Sequence, residues 1–181
     1  AGTKPSFMGL GQPSGETQAH FTVNGMSADG SAVVGTYNLA GAIHPFKWTA
    51  ESGIVTLSDP TGGSNNPQAY AASADGSIVV GCNHAAEPMV WTASGQSFSL
   101  GDLPGGGTAG CAKGVSANGG TVVGSSMGSS NDLEAFKWTQ STGMIGLGDL
   151  PGGFTASEAT GISADANVIV GLGYSGFQYP E

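Results

Sequence analysis

SADGSAVVG at Ser27–Gly35 decides the fold, because close copies of it recur three times along the chain. The copies are SADGSIVVG at Ser73–Gly81, SANGGTVVG at Ser116–Gly124 and SADANVIVG at Ser163–Gly171, and their first serines are 46, 43 and 47 residues apart. A period of this size is the signature of a repeat architecture. The Asp-Gly or Asn-Gly pair followed by β-branched residues predicts a tight hairpin between two short strands.

The fourth copy departs from this turn pattern, with Asp165-Ala166 where the other copies have glycine in second place. Glycine adopts positive φ without steric cost, whereas alanine does not. We therefore expect the fourth turn either to hold alanine at negative φ or to carry strain, and its hairpin to be the least regular of the four.

Two further short strands complete each unit. The third strand ends in a tryptophan, and a leucine follows that tryptophan by nine residues in a fourth strand. The tryptophans are Trp48, Trp91 and Trp138, and the leucines are Leu57, Leu100 and Leu147. Four short antiparallel strands in about 45 residues are typical of a β-propeller blade. We predict an all-β, propeller-like array of four such blades, with a β-solenoid or a sandwich as the alternatives.

We treat residues 1–181 as a single repeat domain with units at about 1–49, 50–92, 93–139 and 140–181. In a repeat protein each unit buries its core against its neighbours, so length alone does not count domains.

The last unit is predicted to be incomplete. Glu181 aligns with Glu134 of EAFKWT and Glu87 of EPMVWT, so the apolar strand that should follow it is missing. At the other end, SFMGLG at Ser6–Gly11 has the pattern of a fourth strand without its tryptophan strand. Three explanations stay open: a fragment of a longer array, a closed four-bladed ring with a defective last blade, or a subunit completed by a neighbouring molecule.

The charge balance narrows the class of partner. Four lysines stand against 13 acidic residues, for a net charge of −9, and only 9% of the chain is charged. Binding to nucleic acid or to an anionic membrane surface requires basic clusters, so we exclude both. No apolar run approaches the length of a membrane-spanning helix, and we predict no membrane insertion.

Cys82 and Cys111 are the only cysteines. They lie at inner-strand positions of successive units, where a single disulfide between the units is geometrically reasonable in an oxidising compartment. The alternative is a pair of buried free thiols, because cysteine is also an ordinary small core residue.

Three aspartates share one phase of the repeat, at the end of the fourth strand: Asp59, Asp102 and Asp149. Their carboxylates are candidate calcium ligands, since hard cations take several oxygen ligands. Otherwise each caps the turn that follows it. One such carboxylate per unit favours the turn role, and we predict no other cofactor.

Trp48, Trp91 and Trp138 allow two interpretations as well. Exposed indoles would stack on sugars, which makes glycans the alternative partner. Buried indoles would fill the space between neighbouring blades, and a fixed phase is what such packing requires.

The repeat resembles a known family. LGDLPGG at Leu100–Gly106 and Leu147–Gly153 and EAFKWT at Glu134–Thr139 are similar to the HAF-type extracellular repeat of bacterial secreted and surface proteins. The first unit, with GLGQPSG, and the second, with TLSDPTGG, depart from that pattern. The resemblance implies an extracellular, propeller-like protein of bacterial origin and says little about activity.

These observations predict a non-enzymatic, extracellular or cell-surface structural or adhesive protein. Its open strand edges favour self-association into an oligomer or filament by β-strand complementation of the incomplete blade. No catalytic constellation stands out in the sequence. A lectin-like carbohydrate-binding propeller is the alternative, and an enzyme acting on polysaccharide is a remote one.

Overall fold

The computed structural model describes residues 9–13, 18–59, 66–151 and 156–174. All regular structure in these ranges is β, and the strands form four antiparallel sheets in chain order. The first sheet contains β1 His20–Met26, β2 Ala32–Leu39, β3 Ala42–Thr49 and β4 Gly53–Thr56. The second contains β5 Gln68–Ala72, β6 Ile78–Cys82, β7 Pro88–Thr92 and β8 Ser97–Ser99.

The third sheet contains β9 Gly110–Val115, β10 Thr121–Met127, β11 Leu133–Thr139 and β12 Gly143–Gly148. In the described residues, the fourth contains two strands, β13 Ser157–Ile162 and β14 Ile169–Gly173. The chain is therefore an all-β, propeller-like array of blades whose last blade is incomplete. Each complete sheet ends with the strand after the tryptophan strand. The units predicted from the sequence end one strand earlier, at the tryptophan strand.

In each sheet, four residues lie between the two residues whose backbone hydrogen bond closes the hairpin of the first two strands. In the first sheet Ser27 N donates to Ala32 O at 2.9 Å and Gly30 N donates to Ser27 O at 3.0 Å. Gly30 has a φ of +73°, but Asp29 stays at negative φ. The loop is thus a type I turn closed by a left-handed glycine, and not the two-residue hairpin that Asp-Gly predicts.

The aspartate of this loop has a structural role. Its Oδ1 accepts hydrogen bonds from Ser27 Oγ at 2.7 Å and from Ser31 N at 2.8 Å. Asn118 in the third sheet accepts the equivalent bonds from Ser116 Oγ and Gly120 N at 2.8 and 2.9 Å. The side chain therefore stabilises the loop as an Asx turn does.

The fourth hairpin is as regular as the others, so the expectation of an irregular turn was wrong. Ser163 N donates to Val168 O at 2.8 Å and Ala166 N donates to Ser163 O at 3.0 Å, as in the first loop. Ala166 has a φ of +62°. The second alternative therefore holds: the loop keeps its geometry, and alanine carries the strain of the left-handed region.

Neighbouring sheets pack through the first strand of the later sheet. A buried valine of one second strand shares a core cluster with a buried alanine of the next first strand at each junction. The pairs are Val34 with Ala69, Val80 with Ala112 and Val123 with Ala159. The hairpin loops also join, since Ala74 N donates to Ala117 O and Ala117 N donates to Ala164 O, both at 3.0 Å.

The array does not close on itself within the described residues. Each sheet packs on the next, but β13 and β14 make no comparable contact with β1 to β4. Within these residues the structure therefore contains no closed ring, and the three explanations of the incomplete last unit stay predictions. Residues 9–12, the described part of the predicted N-terminal strand, are not in a strand, and Ser6–Met8 and Glu181 lie outside the described residues.

Candidate functional site

The candidate site is the open side of the fourth sheet, where β14 repeats the sequence of a buried strand. In the complete sheets the second strand lies between the first strand and the tryptophan strand. A Cβ built on Gly124 of β10 would lie 2.0 Å from Cys111 O, and one on Gly171 of β14 would lie 2.0 Å from Glu158 O. Because both glycines meet the first strand equally closely, the β13–β14 pair keeps the geometry of a complete blade.

The exposure of β14 differs from that of its counterparts. Val170 is 59% exposed, whereas the valines at the same phase, Val34, Val80 and Val123, are fully buried. Leu172 is 64% exposed, but Cys82 and Ser125 at its phase are each only 4% exposed. Within the described residues β14 pairs with β13 alone, so one face and one edge of it are open.

A groove of about 470 Å³ lies beside this open strand. It runs between the end of the third sheet and the fourth sheet, and its lining includes Leu147, Asp149, Ile169, Gly171 and Leu172. Leu147 is 46% exposed, although Leu100 at the same phase is 7% exposed in the core. The groove is therefore lined in part by apolar side chains.

The three tryptophans explain why Leu147 is exposed. Trp91 is 2% exposed, shares a core cluster with Leu57 of the first sheet, and donates its indole N–H to Ser58 O at 2.6 Å. Trp138 likewise packs against the cluster that contains Leu100. Each of these tryptophans thus covers the leucine of the preceding sheet, and in the described residues no tryptophan covers Leu147.

This arrangement supports the packing interpretation of the tryptophans. Trp48 packs in the core cluster of the first sheet, around Phe46, and the Trp138 ring lies 6.3 Å from the ring of Phe98. The three indoles pack in three different core clusters, so they form no common exposed platform for a sugar.

The three aspartates at one phase have different surroundings. Asp59 accepts hydrogen bonds from the backbone N–H of His84, and its carboxylate lies 2.6 Å from His84 Nδ1. Asp149 accepts bonds from Leu150 N and Ala156 N at 2.7 and 3.0 Å, which is a turn-capping role. Asp59 and Asp149 therefore hydrogen-bond to neighbouring loops.

Asp102 is the exception among them. Its Oδ1 is buried without a hydrogen-bond partner, and burial together with the nearby Glu87 carboxylate raises the pKa of Asp102. Within the described ranges no three acidic, histidine or cysteine side chains come together as a metal site would require. The sequence hypothesis of calcium ligands at Asp59, Asp102 and Asp149 thus finds no shared site.

Cys82 and Cys111 form a disulfide, with their Cα atoms 4.8 Å apart. The bond joins β6 of the second sheet to β9 of the third, so it fixes one junction of the array. Of the two alternatives that the sequence left open, the structure contains the bridge and not the free thiols.

Sequence reasoning missed a row of bulged side chains on the first strands. Asn24, Tyr70, Lys113 and Thr160 share one phase, and each lies where the pairing register shifts. Lys113 Nζ lies 3.7 Å from the Tyr70 ring centre and 3.6 Å from Glu158 Oε1. β-Bulges redirect a side chain, and here they link consecutive sheets. The shared phase was the available signal, but the differing residue types hid it.

Within the described residues, no helix has both the length and the apolar character that a membrane crossing needs. Comparison with protein-family models and with curated protein sequences finds no match. Solved structures do resemble the chain. A protein assigned as TolB in Agrobacterium tumefaciens is 17% identical, with a TM-score of 0.50, over 71% of this chain and 49% of its own.

Two other solved structures are similar at lower scores. TolB from Acinetobacter baumannii is 13% identical over 74% of this chain and 33% of its own, with a TM-score of 0.49. An oligogalacturonate lyase in complex with manganese is 9% identical over 71% of this chain and 40% of its own, with a TM-score of 0.45. The chain thus spans half or less of the length of these proteins, and the likeness concerns the propeller fold alone.

Proposed function

We propose that this chain is a non-enzymatic structural repeat protein that accepts a β-strand at the open edge of β14. The observation that carries the proposal is the groove beside β14, which is lined by Leu147, Ile169 and Gly171. These three positions are the ones that a tryptophan strand contacts in the complete sheets. An unpaired strand edge is the natural template for β-augmentation.

The internal register defines the incoming strand. Val122 of β10 lies opposite Trp138 and Gly124 lies opposite Phe136. Transferred to β14, the same register puts a tryptophan opposite Ile169, over Leu147, and a phenylalanine or methionine opposite Gly171. The ligand is therefore an antiparallel strand with the pattern apolar-x-Trp-Thr, as in β3, β7 and β11.

A neighbouring repeat molecule is the proposed source of this strand. Each of β3, β7 and β11 is already paired on both sides in its own sheet, so a described strand of this kind is not free to move. The incoming strand would be a tryptophan strand of another repeat chain that is not paired within its own sheet.

We also place the protein outside the cytoplasm. The disulfide between Cys82 and Cys111 supports an oxidising compartment. The resemblance to the HAF-type repeat supports a secreted or cell-surface location. Adhesion would then follow from strand exchange with a partner on another surface.

The test uses a fluorescent peptide with the β11 sequence, Leu133–Thr139, and a control peptide of the same composition in scrambled order. We expect saturable binding of the first peptide alone. Leu147→Asp should weaken it at least about tenfold, because a charge would face the incoming indole and 1.4 kcal/mol corresponds to a factor of ten.

Ile145→Asp is the matched control variant. Ile145 is 50% exposed on the same strand, β12, but does not line the groove. Binding should be unchanged in this variant. Equal affinity for the scrambled peptide, no binding of the β11 peptide, or equal effects of both aspartates would refute strand addition at β14.

A further inference from the structure

The two ends of the array carry the separate halves of the contact that joins neighbouring sheets. At each internal junction, a residue of the second strand at the Val123 phase meets a residue of the next first strand at the Ala159 phase. At the ends, the residues of these two phases are Val170 on β14 and Val23 on β1. Both are exposed, at 59% and 54%.

Three apolar side chains are exposed on the open face of the fourth sheet. Val168, Val170 and Leu172 are 58%, 59% and 64% exposed. The counterparts of Val168 and Leu172 in the third sheet, Thr121 and Ser125, are 9% and 4% exposed, and β13 packs against their strand. The end residues are also larger and more apolar than these counterparts, so covering them removes more apolar surface from water.

The exposed face of the first sheet has the complementary features. Met26 of β1 is 62% exposed. A Cβ on Gly76 would lie 2.5 Å from the Ala32 side chain, and one on Gly119 would lie 2.6 Å from Ile78, since each loop packs on the preceding sheet. A Cβ on Gly30 would meet nothing within 4 Å. Among the described residues, the first loop therefore lacks the neighbour that its equivalents have.

We infer that a second copy of this chain docks its first sheet onto the fourth sheet, repeating the junction between successive sheets. The contact is heterologous, with different surfaces on the two copies, and it propagates from copy to copy as a filament. It uses the face of β14 and not its edge. It therefore goes beyond strand addition and does not depend on it.

The internal disulfide gives this docking a measurable geometry. Cys82 has the phase of Leu172, and Cys111 has the phase of Thr22. The Cα atoms of the two cysteines are 4.8 Å apart across the junction of the second and third sheets. The same junction between two copies would bring Leu172 of one copy to a distance from Thr22 of the other that a disulfide can span.

The first experiment introduces cysteines at these two positions, with Cys82 and Cys111 left in place. Under mild oxidation the double variant Thr22→Cys/Leu172→Cys should form a ladder of linked species on a non-reducing gel, each link mapping to 22–172 by mass spectrometry. An equimolar mixture of the two single variants should stop at a 1:1 dimer. Thr22→Cys paired with Ile145→Cys, where residue 145 lies on another exposed strand, is the matched control and should not form the ladder.

The second experiment removes one half of the contact at a time. Val23→Asp and Val170→Asp should each abolish concentration-dependent association in sedimentation velocity, and their equimolar mixture should form a single heterodimer, because each keeps the face that the other has lost. Unfolding curves should match the unmodified chain, since both side chains are exposed.

The outcomes separate this inference from strand addition. Val23→Asp should lose self-association but bind the β11 peptide with unchanged affinity. A 22–172 link within one molecule would show a closed ring instead. No link above the control, or association that survives both aspartates, would also overturn the docking.

Discussion

β10 and β14 share a Val-Gly pair at the same phase of the repeat but have opposite environments. Val123 of β10 is fully buried, whereas Val170 at the same phase of β14 is 59% exposed. Both strands pair with a first strand and both keep the close glycine contact, at Gly124 and Gly171. The local structure is therefore the same, and what differs is the presence of a third strand and of a following sheet.

The difference shows where the stability of a repeat array resides. A single two-stranded hairpin is marginally stable in water, so β13 and β14 depend on the third sheet that they pack against. Ser157 makes part of this attachment, since it accepts a hydrogen bond from Ala135 N at 2.9 Å and donates one to Gly148 O at 2.7 Å. Within the described residues, the third sheet is thus the only sheet that supports β13 and β14.

The largest expected effect is a cavity in the complete third sheet. Phe136 is fully buried in its core, and Phe136→Ala should lower the free energy of unfolding by about 3–5 kcal/mol. Leu172→Ala in the fourth sheet should change it by less than about 0.5 kcal/mol, because the side chain is exposed. Chemical denaturation measures both, and similar losses would mean that β14 is covered after all.

Removing the disulfide should come next in size. The bridge closes a loop of 29 residues between the second and third sheets. Cys82→Ser with Cys111→Ser should therefore lower the free energy of unfolding by about 3–4 kcal/mol, through the added freedom of the unfolded chain. Thermal unfolding with and without reductant checks this, and a reductant effect that persists in the double variant would count against it.

Matched valines give the most direct comparison of the two strands. Val123→Ala should cost about 2 kcal/mol from lost burial. Val170→Ala should cost less than about 0.5 kcal/mol at concentrations where the chain is monomeric. The urea midpoints of the two variants measure the difference in stability, and equal midpoints would contradict the difference in burial.

The fourth hairpin loop offers a gain in stability. Ala166 holds a φ of +62°, so Ala166→Gly should stabilise the protein by up to about 1 kcal/mol by relieving strain. Gly119→Ala in the third sheet should destabilise the protein, because residue 119 has a positive φ and the new Cβ would lie 2.6 Å from the Ile78 side chain. A loss of stability in Ala166→Gly would show that alanine is not strained there.

The smallest effect concerns pH and the loop aspartates. The Ser77 backbone N–H, with the Ser77 and Ser73 hydroxyls, lowers the pKa of Asp75 from 3.8 to about 2. A folded-state pKa below the unfolded value stabilises the fold above about pH 4, and this contribution disappears as pH falls towards 2. The loop of the third sheet has Asn118 in this place and lacks the effect.

Asp75→Asn is the corresponding test. The side-chain oxygen of asparagine accepts the same bonds, as Asn118 Oδ1 does from Ser116 Oγ at 2.8 Å. Melting temperatures between pH 5 and 2 should fall less steeply in this variant than in the unmodified chain. Parallel curves would show that Asp75 does not contribute to acid unfolding.

Particular residues show how far the sequence could be used. The four SADG-type copies located the hairpin between the first two strands of each sheet, whereas Cys82 and Cys111 left a disulfide and two free thiols both open. The loop type was beyond reach, because Asp-Gly fits both a two-residue hairpin and a type I turn closed by glycine, and only the φ of Asp29 separates them. The location of the groove could not be predicted either, since residues of both the third and the fourth sheet line it.

The period, the strands of each unit and their all-β class could be predicted from the sequence, because they follow from contacts within about 45 residues that repeat along the chain. The folded structure was needed to show which valine is buried and, for the described residues, that the first and fourth sheets do not meet and that no tryptophan covers Leu147. The physical reason is that burial depends on the neighbouring sheet, and the pattern of a strand is the same whether that neighbour is present or absent.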